Sequence, residues 1–450
     1  MANKNEREKC FSKYASQEEG AISLKAFFQY DFDSAAHLSK DIEDIKSSWL
    51  MIFNKYVTSN NIQNFSKAQP DWYELLRTRK KIVDYLTNNK SPTVTLCSDT
   101  EKWVIKGVPI TEHLIGYRQE SIDKASNDGK LASIHEELSL NCIFLIDSIN
   151  CASNARLIYG FDEDVWNEMV EECDEQYHIK DLPMGTITCI HQFAKAARKD
   201  FTKCKPIIKQ LPDDLFGYNE RIECSLRSLI DTHSPDASEK AIKMESSFTL
   251  DAIDPVLLPF FKETDLITRK GTDGQVTGSK ARRGKVGRFA DLSMVFEFAG
   301  MPEQILVIVE IKAPSKVADG SRPDFIKMAN EMKGSIDNFI EEGFDDDEIF
   351  ATGILVEGFK CTVFVMDLKY QATYRLMPRC IFYLPQSRHN FNVLPEAYEA
   401  MVAVRQWMVS NARRCFAFYR QKPRKVTRKN YTVTSFGTPK NHEKESSSTA

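Results

Sequence analysis

The sequence predicts an α/β protein: a mixed, largely antiparallel sheet flanked by helices, behind a mainly helical N-terminal domain. Three observations point there. Residues 287–316, GRFADLSMVFEFAGMPEQILVIVEIKAPSK, hold two apolar runs too short for ordinary helices, joined by the turn cluster Ala299, Gly300, Met301 and Pro302. Three further runs, ATGILVEG, KCTVFVMDL and ATYRLMPRCIFYL, are dominated by Val, Ile, Phe and Tyr, with Gly358 and Phe359 at the first turn. By contrast, Ile42, Ile45, Trp49, Ile52, Phe53 and Tyr56 recur at helical spacing near the start of the chain.

In chain order, the N-terminal pattern predicts one helix over 39–57 and a second from Pro70 to about Leu86, stopped by NNKSP. Short strand-like pieces, TVTLC and KWVIKGVPI, come next. Helical patterns return at 131–149, 162–177 and 186–201. The Trp and Tyr positions could stack on bases, but at this spacing they serve a core. KPIIKQLPDD, 205–214, breaks the periodicity and is the expected domain boundary. Beyond it come a helix through Ile222, Leu226 and Leu229, and a second over 239–261 that breaks or restarts at Pro255. A helix over 323–340 follows the second apolar run, and one over 392–419 closes the domain. The expected division is therefore 1–205, 206–420 and a basic tail, 421–450, which is predicted to be disordered beyond about Thr432.

Composition sets outer limits. The chain has 450 residues, with 60 Lys and Arg against 64 Asp and Glu, a net charge of −4. Any attraction for nucleic acid must therefore come from local patches. The 11 cysteines contain no C-x-x-C pair, which fits free thiols in a reducing compartment and not a disulfide framework or a zinc ribbon. The charged start MANKNEREKC carries no signal-peptide pattern, and no apolar run reaches membrane-spanning length. An intracellular protein of nucleus or cytoplasm, without membrane contact, is the expectation.

Chemistry concentrates after the second apolar run. A strand continuing past Val309 puts Glu310 and Lys312 on one face, since side chains alternate with period 2. Asp291 heads the neighbouring strand within plausible reach. Two carboxylates beside a lysine suit metal-assisted hydrolysis of a phosphodiester: hard oxygens hold Mg²⁺, and an ammonium steadies the attacking water and phosphoryl charge. An E-x-K after an apolar strand also arises by chance, because charged residues mark many strand ends.

The Asp, the E-x-K and the following helix resemble the core of the PD-(D/E)XK, or restriction-endonuclease-like, nucleases. More narrowly, residues 245–385 resemble a large family of early-diverging fungi, through ESSFTLDAIDPVLLPFF, GSKARRGKVGRFADL, VEIKAPSK, DFIKMANEMKGSIDNF and GILVEGFKCTVFVMDLKYQATYRLM. The resemblance covers about a third of the chain and has Ala290 where the superfamily name has Pro. It implies a restriction-endonuclease-like sheet, with Asp291 and Glu310 as ligands for Mg²⁺, or Mn²⁺ in its place, and Lys312 as the lysine. A Glu on the first core helix often completes such sites. Glu245 matches best, with Glu220 or Glu223 as fallback. Some relatives in such families have lost catalysis.

Around these residues, 268–288 holds seven Lys or Arg and five Gly, among them Lys280, Arg282, Arg283, Lys285 and Arg288. It reads as a solvated loop; running into Asp291, it could also neutralise phosphates of DNA or RNA, as could Lys316. The 323–340 helix brings Lys327, Asn330, Glu331 and Lys333 together, either as a solvated face or, as the resemblance implies, aimed at the site, with Lys327 and Lys333 as further phosphate contacts. PRKVTRK in the tail is an import signal, a phosphate clamp or a solubilising tail. VEIK and MDLKY resemble kinase motifs, but no glycine-rich loop precedes the first, Ala372 replaces the loop Asn, and no D-F-G follows. Two readings stay open: a Mg²⁺-dependent endonuclease, and an inactive nuclease-fold module that binds nucleic acid or a protein. On the first, Glu310 faces a cleft, so that Glu310→Ala removes cleavage with little loss of stability.

Overall fold

The computed structural model describes residues 2–17, 21–30, 35, 38–39, 45–70, 72, 94–97, 101–128, 133–147, 149, 155–214, 217–232, 245–271, 290–319, 322–344, 349–421 and 430–433. The chain forms two compact units: Met1–Thr93 with Gln119–Ala132, and Val94–Arg118 with Ser133–Ala450.

In the first unit, helices α1 (Ala2–Ala15), α2 (Leu24–Tyr30) and α3 (Ile45–Ser59) enclose a core of Phe11, Tyr14, Phe27, Phe28, Trp49 and Phe53. The rings meet tilted or edge to face, as Phe11 and Phe27 do at 5.1 Å, and Trp49 Nε1 donates to Ser39 Oγ. These aromatics are spent on packing. Most of the helix expected from Pro70 to Leu86 lies outside the described residues.

The second unit opens with two short paired strands, β1 (Val104–Ile105) and β2 (Val108–Pro109), then α4 (Ile110–Asp128), which belongs to this unit as far as Arg118, and α5 (Ile134–Ser139). KWVIKGVPI thus makes one small hairpin, while residues 94–97, the described part of TVTLC, form no strand. The helix expected over 131–149 is instead α5 followed by a strand, β3 (Ile143–Leu145). Ser133 and Glu136 close a capping box at the start of α5, and Cys142 adopts a left-handed φ of 57°, which breaks the helix before the buried Ile-Phe-Leu run. A short run buried all round carries no periodicity to separate strand from helix.

Helices α6 (Ala155–Tyr159), α7 (Glu163–Gln176), α8 (Met184–Ala197), α9 (Cys204–Ile208) and α10 (Tyr218–Thr232) follow. Next are α11 (Glu245–Phe248), a π turn at Thr249–Ile253, and α12 (Asp254–Leu257), with Pro255 in the first turn of the restarted helix. The sheet strands β4 (Ile267–Gly271), β5 (Leu292–Phe296) and β6 (Gln304–Lys312) lead to α13 (Arg322–Glu341). Strands β7 (Phe350–Glu357), β8 (Lys360–Tyr370) and β9 (Thr373–Tyr383) and helix α14 (Leu394–Arg420) complete the unit.

Seven strands form one mixed sheet in the order β3-β9-β8-β7-β6-β5-β4. The β6–β7 and β3–β9 pairs are parallel and the rest antiparallel. Ile143 of β3 pairs with Tyr374. Residues 133–205, expected in a separate helical domain, therefore fall in the sheet-bearing unit. Tyr177, just after α7, donates to Asp367 on β8, and Trp103 stacks on Tyr370 at 5.3 Å.

Every residue of β6 but Lys312 is buried, because helices cover both faces of the sheet. On one face Val307, Val309 and Ile311 join the core of α8, α10, α12 and α14, and on the other Ile305 and Ile308 meet α13. Helix α13 lies close over Gly353, the partner of Ile308. A Cβ there would come within 2.6 Å of Met332 Sδ and 2.9 Å of Met328 Sδ. Both methionines are fully buried, so Gly353→Ala must displace them. It is expected to cost about 1–3 kcal/mol, read as a lowered urea midpoint with unchanged m-value.

Candidate active site

Antiparallel register sets the first two acids side by side. Leu292 pairs with Val309, so Asp291, one residue earlier, lies across from Glu310. Asp291 Oδ2 accepts a hydrogen bond from Ile311 N at 2.7 Å, which fixes the carboxylate at the strand end. The expected meeting of Asp291 and Glu310 is present.

Glu310 does not face an open cleft. Its side chain is 2% exposed, because α13 crosses above it. Lys327 and Glu331, four residues apart on that helix, share one face. Lys327 Nζ sits 2.6 Å from Glu310 Oε2, while Glu310 Oε1 has no hydrogen-bond partner among the described residues. Burial is the main force raising the Glu310 carboxyl to about 9; the negative charges of Glu331 and Asp291 add to it, and Lys327 pulls the other way. Burial works against the Lys327 ammonium, yet Glu310, Glu331 and Asp291 outweigh it and hold its proton more firmly than usual.

The remaining expected residues divide. Lys312 lies on the same strand end, its side chain 11% exposed, with Nζ 3.4 Å from Asp324 Oδ2 in the first turn of α13. Lys316 is exposed in the short 3₁₀ helix after β6. Lys333 points elsewhere. It is fully buried, donates at 2.6 Å to both Asp337 Oδ2 and the Val433 carbonyl, and lies 4.4 Å over the Tyr374 ring. A lysine so enclosed cannot meet a phosphate, so that expectation is corrected. Asn330 likewise turns to Asn141.

Glu245 opens α11, and its side chain lies outside the described residues. Of its two fallbacks, Glu220 is exposed on α10 and Glu223 pairs with Arg227 at 2.6 Å. Lys280, Arg282, Arg283, Lys285 and Arg288 all lie outside the described residues, as does PRKVTRK of the tail. Glu331 was visible in sequence only as part of a polar helical face; its i, i+4 spacing from Lys327 is the signal that it shares the site.

Asp291, Glu310 and Glu331 supply hard oxygen donors, the class that suits Mg²⁺ or Mn²⁺, and Glu310 Oε1 is a buried acceptor with capacity to spare. The donor chemistry fits such an ion. Among the described residues, no group of three or more His, Cys, Asp or Glu is gathered so as to hold a metal. Also among the described residues, no helix is long and apolar enough to cross a membrane. A cleft of about 430 Å³ lined by Arg221, Asp254, Lys262 and Arg269 shares no residue with the carboxylates. No family model, no curated protein and no solved structure matches the chain, so the function rests on the chemistry of the site itself.

Proposed function

We propose that the second unit is a restriction-endonuclease-like, metal-dependent nuclease that hydrolyses phosphodiester bonds of DNA or RNA. The observation that carries this reading is the apposition of Asp291 and Glu310 at the end of a buried central strand, with one Glu310 oxygen lacking a hydrogen-bond partner among the described residues. The β5–β6 hairpin followed by a helix and a parallel β7 agrees with it.

Asp291 and Glu310 would hold the ion, Mg²⁺ or Mn²⁺, with Glu245 as a further acid. Once bound, the metal polarises the scissile phosphate and acidifies water. Asp291 is kept in place by Ile311 N, so its carboxylate needs no reorganisation. Lys312 lies two residues beyond Glu310 on the same strand face, where an ammonium can orient the attacking water and offset charge growing on the phosphoryl oxygens. Lys316 and the basic residues 280–288 supply contacts to neighbouring phosphates, which position the strand without reading its sequence.

One observation favours the second reading, an inactive module that binds nucleic acid or a protein: Lys327 already occupies one oxygen of Glu310. A cleavage assay separates the two. It uses plasmid, single-stranded DNA and RNA with Mg²⁺, Mn²⁺ or EDTA, beside Lys312→Ala. Metal-dependent cutting that falls about 10²–10³-fold in the variant is the expected result. No cutting, with binding that weakens steeply as salt rises, selects the module.

A further inference from the structure

Glu310, Glu331 and Asp291 act on one another at the end of β6, and Lys327 is in direct contact with Glu310. Glu310 and Glu331 are 2% and 0% exposed, and Asp291 is tied beside them by Ile311 N. Lys312 Nζ lies 3.4 Å from Asp324, and Lys327 Nζ lies 2.6 Å from Glu310 Oε2. Oε1 of the same carboxylate accepts no hydrogen bond among the described residues. Lys327 differs from its neighbours in one further respect: its side chain is 21% exposed, whereas Lys333 on the same helix is 0% exposed. Its flexible stem therefore has a path to solvent that does not cross the core.

An ammonium on Oε2 of Glu310 and a divalent cation on Oε1 would repel each other across one carboxylate, so each weakens the hold of the other. We propose that Lys327 is an exchangeable resident cation: it holds Glu310 while no divalent ion is bound, and swings outward when one takes its place, presenting its ammonium to a substrate phosphate. This rests on the metal-dependent reading above and adds a coupling to it. If the released charge meets a substrate phosphate, metal and phosphate each tighten the binding of the other, as linkage requires.

The test is made on the full-length chain with two readouts other than cleavage. Reductive methylation followed by peptide mass spectrometry measures how fast Lys327 is modified in EDTA and in Mn²⁺, with Lys333 as the buried internal control. Lys327 is expected to react several-fold faster with Mn²⁺ present, and Lys333 to stay unchanged. Separately, free Mn²⁺ is followed by electron paramagnetic resonance during titration of the wild type, Lys327→Met and Lys327→Arg. Removing the ammonium is expected to tighten Mn²⁺ binding roughly tenfold, while Lys327→Arg stays close to the wild type.

Mn²⁺ binding with unchanged labelling and no gain in Lys327→Met overturns the exchange and leaves the metal site standing. If Lys327→Met binds Mn²⁺ and the wild type does not, Lys327 does close the site, and the native protein is no metal-dependent nuclease. Binding by none of the three overturns both. If Lys327→Met does not fold, labelling of the wild type decides alone.

Discussion

Glu310→Gln is expected to abolish metal-dependent cleavage and, in metal-free buffer, to make the protein more resistant to alkali than the wild type. The amide keeps the size of the side chain but cannot serve as an anionic ligand, so the rate should fall by at least about 10²–10³-fold. The stability effect follows from linkage. Burial and two neighbouring acids raise the Glu310 carboxyl from an ordinary 4.5 to about 9 in the folded chain. The folded state therefore holds a proton that the unfolded state has released across that interval. This contribution to stability is complete below about 4.5 and is lost as pH climbs through 9. The substituted amide does not titrate, so urea midpoints at pH 5, 7 and 9 in EDTA should fall further for the wild type than for the variant. A variant that cuts at the wild-type rate would sink the site. Parallel pH profiles would mean that Lys327 already holds Glu310 ionised.

The second large effect concerns a pair remote from the chemistry. Arg375 grips Asp367 with two hydrogen bonds, Nε to Oδ1 at 2.8 Å and Nη2 to Oδ2 at 2.7 Å, and both side chains are fully buried. Tyr177 donates to the same carboxylate, and Arg375 also reaches Glu172 on α7. The network ties β8, β9 and α7 together. Asp367→Ala leaves an arginine charge in the core and is expected to cost about 3–5 kcal/mol. Joint replacement, Asp367→Leu with Arg375→Met, should recover most of that, since no fully buried charge remains and the part-exposed Glu172 keeps Lys369 as its partner. Thermal unfolding measures both. Cleavage by folded Asp367→Ala at low temperature should persist, because neither residue touches Asp291 or Glu310.

Much of the sheet was legible because each strand end carried its own turn chemistry. Gly300 and Gly358 take φ of 78° and 60°, as the turns after β5 and β7 require, and the apolar runs around them became β5 to β9. The Asp291–Glu310 apposition was legible for the same reason, since a hairpin register is a local property. What local pattern could not show was the third dimension. Burial of Glu310 depends on α13 crossing over it, and that approach depends on Gly353 in another strand. Lys327 and Lys333 read alike as polar helical residues. Six residues correspond to about 240° of rotation, so one faces the carboxylates and the other Tyr374. The reach of the second unit back to residue 94 was hidden by β3, a strand too short and too buried to announce its period.

That same strand constrains the order in which the chain can be made and folded. Leaving the ribosome, Ile143–Leu145 meets no sheet until Thr373–Tyr383 has been synthesised, because its partner is β9 and the pairing is parallel. Loop closure over such a separation is slow, and the apolar run from Cys142 to Ile146 stays uncovered while it waits. A nascent chain stalled before β9 would expose that segment together with Trp103 and Tyr159 of the same core, a natural target for a holding chaperone.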